Sequence, residues 1–362
     1  MRGRSPAPSR GASELPVMST GRSFFALDRD EARARITELG GRPFHADVIR
    51  SEAIDRRNLD YAEMSSLSRE LRSRLATELP LYSAEEVARS RTSDGTQKLL
   101  LRFPDGAAVE TVHMPSRRRG RGATLCVSSQ VGCSVGCPFC ASGKAGLVRN
   151  LTHDEIFEQF LLGQALGPLA RSVVMGIGEP LLNYEALRRA LETVRSEIGI
   201  GARKITVSTV GFPTRLNRIA RENPPFQLAI SLHSPDDEQR ARLVPAMAGI
   251  PIEEILSAGD NWFATTGREV TYEYVLLGGE NDSEDHAERL ARRLQNRRAT
   301  INLIPYNPIP DDEFARPAAD AANRFHDTLV QKGLVATVRW SRGAEADAAC
   351  GQLRIQASPQ HR

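Results

Sequence analysis

Three cysteines, Cys133, Cys137 and Cys140, fall within one short stretch, Gln130-Val131-Gly132-Cys133-Ser134-Val135-Gly136-Cys137-Pro138-Phe139-Cys140. Thiolates this close in sequence point to a metal. Their spacing, three intervening residues and then two, suits an iron-sulfur cube that keeps one iron without a protein ligand. An open iron is a place for chemistry. Two blander readings stand beside it. With Cys126 upstream the set could form a closed four-thiolate zinc site, although such sites usually consist of two C-x2-C-type pairs held apart by a longer insert. Alternatively the cysteines are small buried hydrophobes, although the glycines and proline around them give no apolar periodicity.

The elements that must position these thiols follow from Ala123 onward, where strand and helix patterns alternate. Strands are expected at Thr124–Ser128, Ser172–Ile177, Lys204–Thr209, Gln227–Leu232, Val270–Leu276 and Thr300–Ile304, each followed by a helical segment. Six such units predict an α/β fold in which parallel strands and right-handed crossovers curl into a partial barrel. Ligands of parallel α/β folds sit at the carboxyl ends of strands. Those ends carry Gly176-Ile177-Gly178-Glu179-Pro180, Ser208-Thr209, Ser231-Leu232-His233 and Pro305-Tyr306-Asn307-Pro308. The glycines allow close backbone approach and Glu179 can accept from an ammonium; a tight turn and a structural histidine are the plain alternatives.

Upstream, Asp28 with Glu31 reads as a capping pair for a helix ending at Gly40-Gly41. A second helical run passes through Val48 and Ile49, and a third places Met64, Leu67, Leu71, Leu75 and Leu79 on one face. Two strands, Lys98–Phe103 and Ala107–Met114, joined at Pro104-Asp105-Gly106, form a hairpin. Arg117-Arg118-Arg119-Gly120-Arg121 then makes a basic loop, either simply solvated or in contact with phosphate. The resulting layout is a basic disordered tail (1–22), a helical accessory domain (23–93), a hairpin and basic linker (94–122), a catalytic core (123–355) and a C-terminal tail (356–362). Within the tail, Met18 is an alternative start to Met1.

The chain has 362 residues, 40% hydrophobic content and a net charge of +3, enough for a full core and compatible with an anionic partner. No apolar run is long enough to span a membrane, and five cysteines, an odd number with three of them at metal spacing, argue for a reducing, cytoplasmic setting rather than a disulfide scaffold.

Thr124-Leu125-Cys126-Val127-Ser128-Ser129-Gln130-Val131-Gly132-Cys133, Phe139-Cys140 and Asn150-Leu151-Thr152 resemble the RlmN/Cfr family of RNA adenosine methyltransferases, within the radical S-adenosylmethionine (SAM) superfamily. The likeness runs from about Asp28 to Leu353. It implies a radical SAM partial (β/α)6 barrel with a small N-terminal helical domain. Cys133, Cys137 and Cys140 would hold a 4Fe-4S cluster, and Gly178, Glu179, Ser208, Ser231, Leu232, His233 and Asn307 match positions that cradle SAM. It also implies that Cys350 carries a methyl group, that Cys126 resolves the resulting RNA adduct, and that Glu110 takes the ring proton. The implied substrate is carbon 2 of an adenosine in the peptidyl transferase region of 23S rRNA, and often the adenosine following the anticodon in tRNA. Electrons would come from a flavodoxin- or ferredoxin-type donor. Cfr-type relatives attack carbon 8 instead, and a non-catalytic, metal-stabilised RNA-binding protein is the alternative from another class. The chain departs from familiar RlmN proteins at Ser116–Gly122, which is longer and carries arginines where acids are more usual.

Overall fold

The computed structural model describes residues 22–309, 312–340 and 348–353. The expected N-terminal tail, apart from Arg22, and the expected C-terminal tail lie outside the described residues. Helix α1 (Arg29–Glu38) starts with the reciprocal cap read from the sequence: the Asp28 carboxylate accepts from the N–H groups of Asp30 and Glu31, and Glu31 accepts from the Asp28 N–H at 2.9 Å. Helices α2 (His45–Ile54) and α3 (Arg69–Glu78) follow. Ile36, Leu39, Ile49, Leu71 and Leu75 are buried along this segment, each such side chain worth about 1.5–3 kcal/mol of transfer from water.

The strands are β1 (Glu85–Arg91), β2 (Gln97–Arg102), β3 (Ala108–Met114), β4 (Ala123–Cys126), β5 (Gln130–Gly132), β6 (Leu147–Asn150), β7 (Leu169–Val174), β8 (Ile205–Thr209), β9 (Gln227–Ser231), β10 (Val270–Leu276), β11 (Ala299–Pro305) and β12 (Val335–Val338). Helices α4 (Ala141–Lys144), α5 (His153–Ala165), α6 (Tyr184–Thr193), α7 (Pro213–Ala220), α8 (Asp237–Leu243), α9 (Ile252–Thr266), α10 (Glu284–Leu294) and α11 (Ala319–Gln331) complete the regular structure. One sheet runs β1-β2-β3-β4-β7-β8-β9-β10-β11-β12, parallel from β4 to β12 and antiparallel from β1 to β4; β5 and β6 pair separately around the cysteine loop. The fold is the expected α/β partial barrel preceded by helices. Its core includes Phe157 and Phe160 of α5 and the stacked pair Phe226 and Trp262, all fully buried.

The strand expected at Val270–Leu276 has those bounds, and the other five agree to within a few residues. The largest offset is β7, which ends at Val174 rather than Ile177. Residues 175–177 still hydrogen-bond to the extension of β4, through Gly176 N–H to Val127 O and Ser129 N–H to Ile177 O, but have left β8. The hairpin is not isolated: β1 joins it on one side, and β3 pairs with β4, so the segment continues the barrel sheet. At the other end β12 adds a seventh parallel strand. Glu158 of α5 fastens the N-terminal segment to the barrel, accepting from Ser83 N–H (2.7 Å), Ser83 Oγ (3.0 Å), Ala84 N–H (2.9 Å) and Ser23 Oγ (3.3 Å).

Candidate active site

The cysteine loop runs from β5 into α4. The Cys133 N–H donates to Gly146 O, Cys140 N–H to Cys137 O, and Gly143 and Lys144 N–H groups to Cys140 O, so the loop folds back on itself and starts the short helix. All three thiols line one cavity at the carboxyl ends of the central strands. Burial pushes the Cys133 thiol up to about 12, and that of Cys137 well above its usual range, with the neighbouring thiols adding to both effects. Thiolates grouped in a dry site need a cation, and the donor set fits an iron-sulfur group. Among the described residues no three His, Cys, Asp or Glu side chains converge on a single-ion position. Cys126 is not among the residues lining that cavity; it lines the adjoining one.

A polar row crosses the same cavity. Ser208 Oγ lies 3.3 Å from Ser231 Oγ. Ser231 stands opposite Glu273 in the β9–β10 register, and Glu273 opposite Asn302, whose Nδ2 donates to Glu273 Oε1 at 2.9 Å. Glu179 is fixed by three donors, Thr209 Oγ1 (2.6 Å), Val210 N–H (2.9 Å) and Leu181 N–H (3.0 Å), while burial raises its pKa. Gly176 and Gly178 are required chiefly by packing. A Cβ at Gly176 would stand 2.7 Å from Val127 O, and one at Gly178, where φ is +110°, 2.6 Å from Gln130 Cβ.

His233 adopts φ 63°, left-handed for a non-glycine residue. Asn281 Nδ2 holds its carbonyl at 2.8 Å, and the Val275 N–H donates to its Nδ1 at 3.1 Å, which leaves the ring proton on Nε2. Burial, reinforced by the Arg240 guanidinium, lowers its pKa to about 3, so the ring stays neutral. Arg240 is itself buried and ties the ends of β8 and β9 together by donating to Val210 O, Ser231 O and Leu232 O.

Cys350 joins two chambers. Its loop is held to α4 by the Ala141 N–H to Gly351 O bond (2.9 Å) and by Ser142 Oγ to Leu353 O (2.7 Å). It is held to the end of β11 by Asn307 Nδ2 to Cys350 O (3.2 Å) and Gln352 Nε2 to Pro308 O (3.0 Å). Cys350, Met175 and Ile304 line both the cavity of Cys133, Cys137 and Cys140 and a second one that also contains Cys126. Although Cys350 is accessible from these chambers, the protein around it desolvates the thiol and raises its pKa, with Glu273 adding and Arg339 opposing. Burial also pushes Cys126 far up, and Cys350 contributes to that shift.

Of the residues singled out in the sequence, Cys133, Cys137, Cys140, Gly178, Glu179, Ser208, Ser231, His233, Asn307 and Cys350 therefore share one cavity. Leu232 does not line it; it is buried behind, its N–H donating to Glu273 O at 2.9 Å. Glu110 is fully buried and ion-paired with Lys98 at 2.8 Å. It lies outside the lining of both chambers, two residues along β3 from Val112, which lines the Cys126 chamber. Glu273, Arg240 and Trp340 were not read from the sequence. A lone carboxylate in an otherwise apolar central strand was the available signal for Glu273.

Residues 127–291 match the family model described as the Radical SAM superfamily. The chain is 43% identical over 331 residues, 90% of its length and 88% of the relative's, to a probable dual-specificity RNA methyltransferase RlmN of Rhodopirellula baltica. It is 41% identical to a protein of the same name from Nostoc punctiforme, covering 90% and 91% of the two chains. A solved radical SAM methyltransferase from Sphaerobacter thermophilus superposes with a TM-score of 0.84 at 42% identity, covering 92% of this chain and 99% of that one.

Proposed function

The chain belongs to the RlmN family of radical SAM methyltransferases, and from that membership we propose that it methylates carbon 2 of an adenosine in the peptidyl transferase region of 23S rRNA. The adenosine following the anticodon of tRNA is its second substrate. Carbon 2 of adenine is not a nucleophile and cannot displace a methyl group directly. When bound at Cys133, Cys137 and Cys140 and in the cavity beside them, a 4Fe-4S cluster and SAM supply the methyl group and the carbon radical that activates it.

The chain's own residues do the rest. Glu179, Ser208, Ser231, His233 and Asn307 orient SAM, and the neutral His233 offers only its Nε2–H. Cys350 as thiolate takes the first methyl group and becomes a thioether. Once that methyl carbon has bonded to adenine, the RNA hangs from the Cys350 sulfur. Cys126 as thiolate attacks that sulfur; the sulfur–carbon bond breaks, its electron pair stays with the base-bound carbon, a proton taken up there completes the methyl group, and a Cys126–Cys350 disulfide remains. The family resemblance assigns the ring proton to Glu110, although in this structure that carboxylate is buried beside Lys98 and lines neither chamber. A flavodoxin- or ferredoxin-type donor provides electrons, and the need for reduced thiols fits a cytoplasmic setting.

The observation carrying this reading is the position of Cys350, which lines the cluster-cysteine cavity on one side and the Cys126 chamber on the other. Cys126→Ala is expected to trap a covalent enzyme–RNA adduct, seen as a shifted band on a denaturing gel, while Cys350→Ala gives none. An adduct-free Cys126→Ala enzyme that still cleaves SAM would sink the assignment.

A further inference from the structure

The chamber containing Cys126 opens between β3 and β4 on one side and β11 and the segment after β12 on the other. Val112, Met114 and Thr124 wall one side, and Ile304, Arg339 and Trp340 the other. Trp340 is 47% exposed there, and the Arg316 guanidinium lies 5.7 Å from its ring centroid. An indole left open at a cavity mouth, with a cation against it, is a stacking surface that suits any nucleobase.

On the facing wall Met114 and Thr124 are register partners, so the segment 115–122 grows directly out of the chamber rim. It is a defined turn, with Arg118 N–H donating to Ser116 Oγ and Arg121 N–H to Arg118 O. Arg117, Arg118, Arg119 and Arg121 are all exposed. Among the described residues none of the four makes an ion pair, whereas other surface arginines, such as Arg324 with Asp320, do. Like charges held together without acids repel one another, and an anion relieves that cost. Guanidinium forks match phosphate oxygens bidentately. Doubled back on itself, an eight-residue segment extends at most about 13 Å from the rim, within reach of nucleotides flanking a base inserted into the chamber.

We propose that this mouth is a docking surface for an unpaired RNA segment: Trp340 stacks on one base and the Arg117–Arg121 loop clamps the neighbouring phosphates. The inference rests on the RNA reading above and extends it to a strand with splayed bases rather than a duplex, since stacked and paired bases present no free face.

The two tryptophans make the test direct, because Trp262 is fully buried and Trp340 is not. Titrating the full chain with a transcript of the peptidyl transferase region of 23S rRNA quenches Trp340 emission, and the Trp340→Phe variant shows no quenching. Trp340→Ala weakens binding by roughly 5- to 150-fold, the range for one lost stacked base. Replacing the four loop arginines with serine flattens the slope of log K against log salt by about 2.8, from about 0.7 per single-strand phosphate contact. Between 50 and 200 mM salt the gap between wild type and variant then narrows by about 50-fold. The four-lysine version keeps most of the slope. Binding with neither quenching nor a changed slope overturns this inference alone. Loop-dependent binding to anionic lipid vesicles but not to RNA also overturns it, and a wild-type chain that binds no RNA overturns the functional reading as well.

Discussion

Gly143→Ala offers a sharp test of how the cysteine loop is built. The added Cβ would stand 2.7 Å from Cys137 O and 2.8 Å from Cys137 N. Ordinary contact begins near 3.5 Å, so the peptide carrying Cys137 must retreat by roughly 0.7 Å or more. Overpacking of this kind costs about 1–3 kcal/mol, while alanine in place of glycine within a helix returns up to about 1 kcal/mol. The net loss in stability is then about 0–3 kcal/mol, a shift in melting temperature of a few degrees at most. The effect on the thiols is disproportionate, because Cys137 moves relative to Cys133 and Cys140. After anaerobic reconstitution, iron and sulfide per chain are expected to fall well below wild type, with the visible absorption falling in step. Gly201→Ala, whose Cβ would meet no atom within 4 Å, serves as control and loads normally. Full loading of Gly143→Ala, with an unchanged spectrum, would refute the claim that this contact sets the loop.

Three further outcomes follow from buried charge. Burial raises the Glu158 carboxyl to about 7 despite its donors, so the folded chain holds a proton that the unfolded chain releases near 4.5. Stability therefore falls as pH rises from about 4.5 to 7, by at most ~3 kcal/mol, and Glu158→Gln should flatten that slope in denaturant titrations. Glu273→Gln removes a carboxylate that raises the Cys350 thiol, so the midpoint for iodoacetamide alkylation of Cys350, followed by mass spectrometry, moves to lower pH. Arg240→Met strips the donors from the carbonyls of Val210, Ser231 and Leu232, costing on the order of 3 kcal/mol and lowering the urea midpoint accordingly.

The parallel strands were legible because each is a short apolar run followed by a helical pattern, and β10 stands out by its flanking glycine and polar turns. β1 escaped notice because Glu85-Glu86-Val87-Ala88-Arg89-Ser90-Arg91 is mostly charged. An edge strand pairs on one side only and tolerates such a sequence. β12 is four residues with exposed positions, too short to carry a period. In the site, strand-end residues were readable by type and place, since topology alone brings them together. Leu232 shares a motif with two cavity-lining neighbours but is buried behind the cavity, one residue past the end of β9, where its N–H bonds Glu273 O. Arg240 sits in a helix whose pattern looks solvated, and only the folded chain shows its guanidinium buried against three carbonyls. The meeting of Cys126 and Cys350 depends on contacts between α4, the end of β11 and the Cys350 loop, which no local pattern encodes.

The central claim is tested most directly by incubating the cluster-reconstituted protein anaerobically with SAM, a reductant and protein-free 23S rRNA, then analysing the digested nucleosides by mass spectrometry. The account predicts 2-methyladenosine, absent when Cys350 is replaced by alanine. 8-Methyladenosine would move the enzyme to Cfr-type chemistry, and accumulation of 5'-deoxyadenosine with no methylated adenosine would contradict the substrate assignment outright.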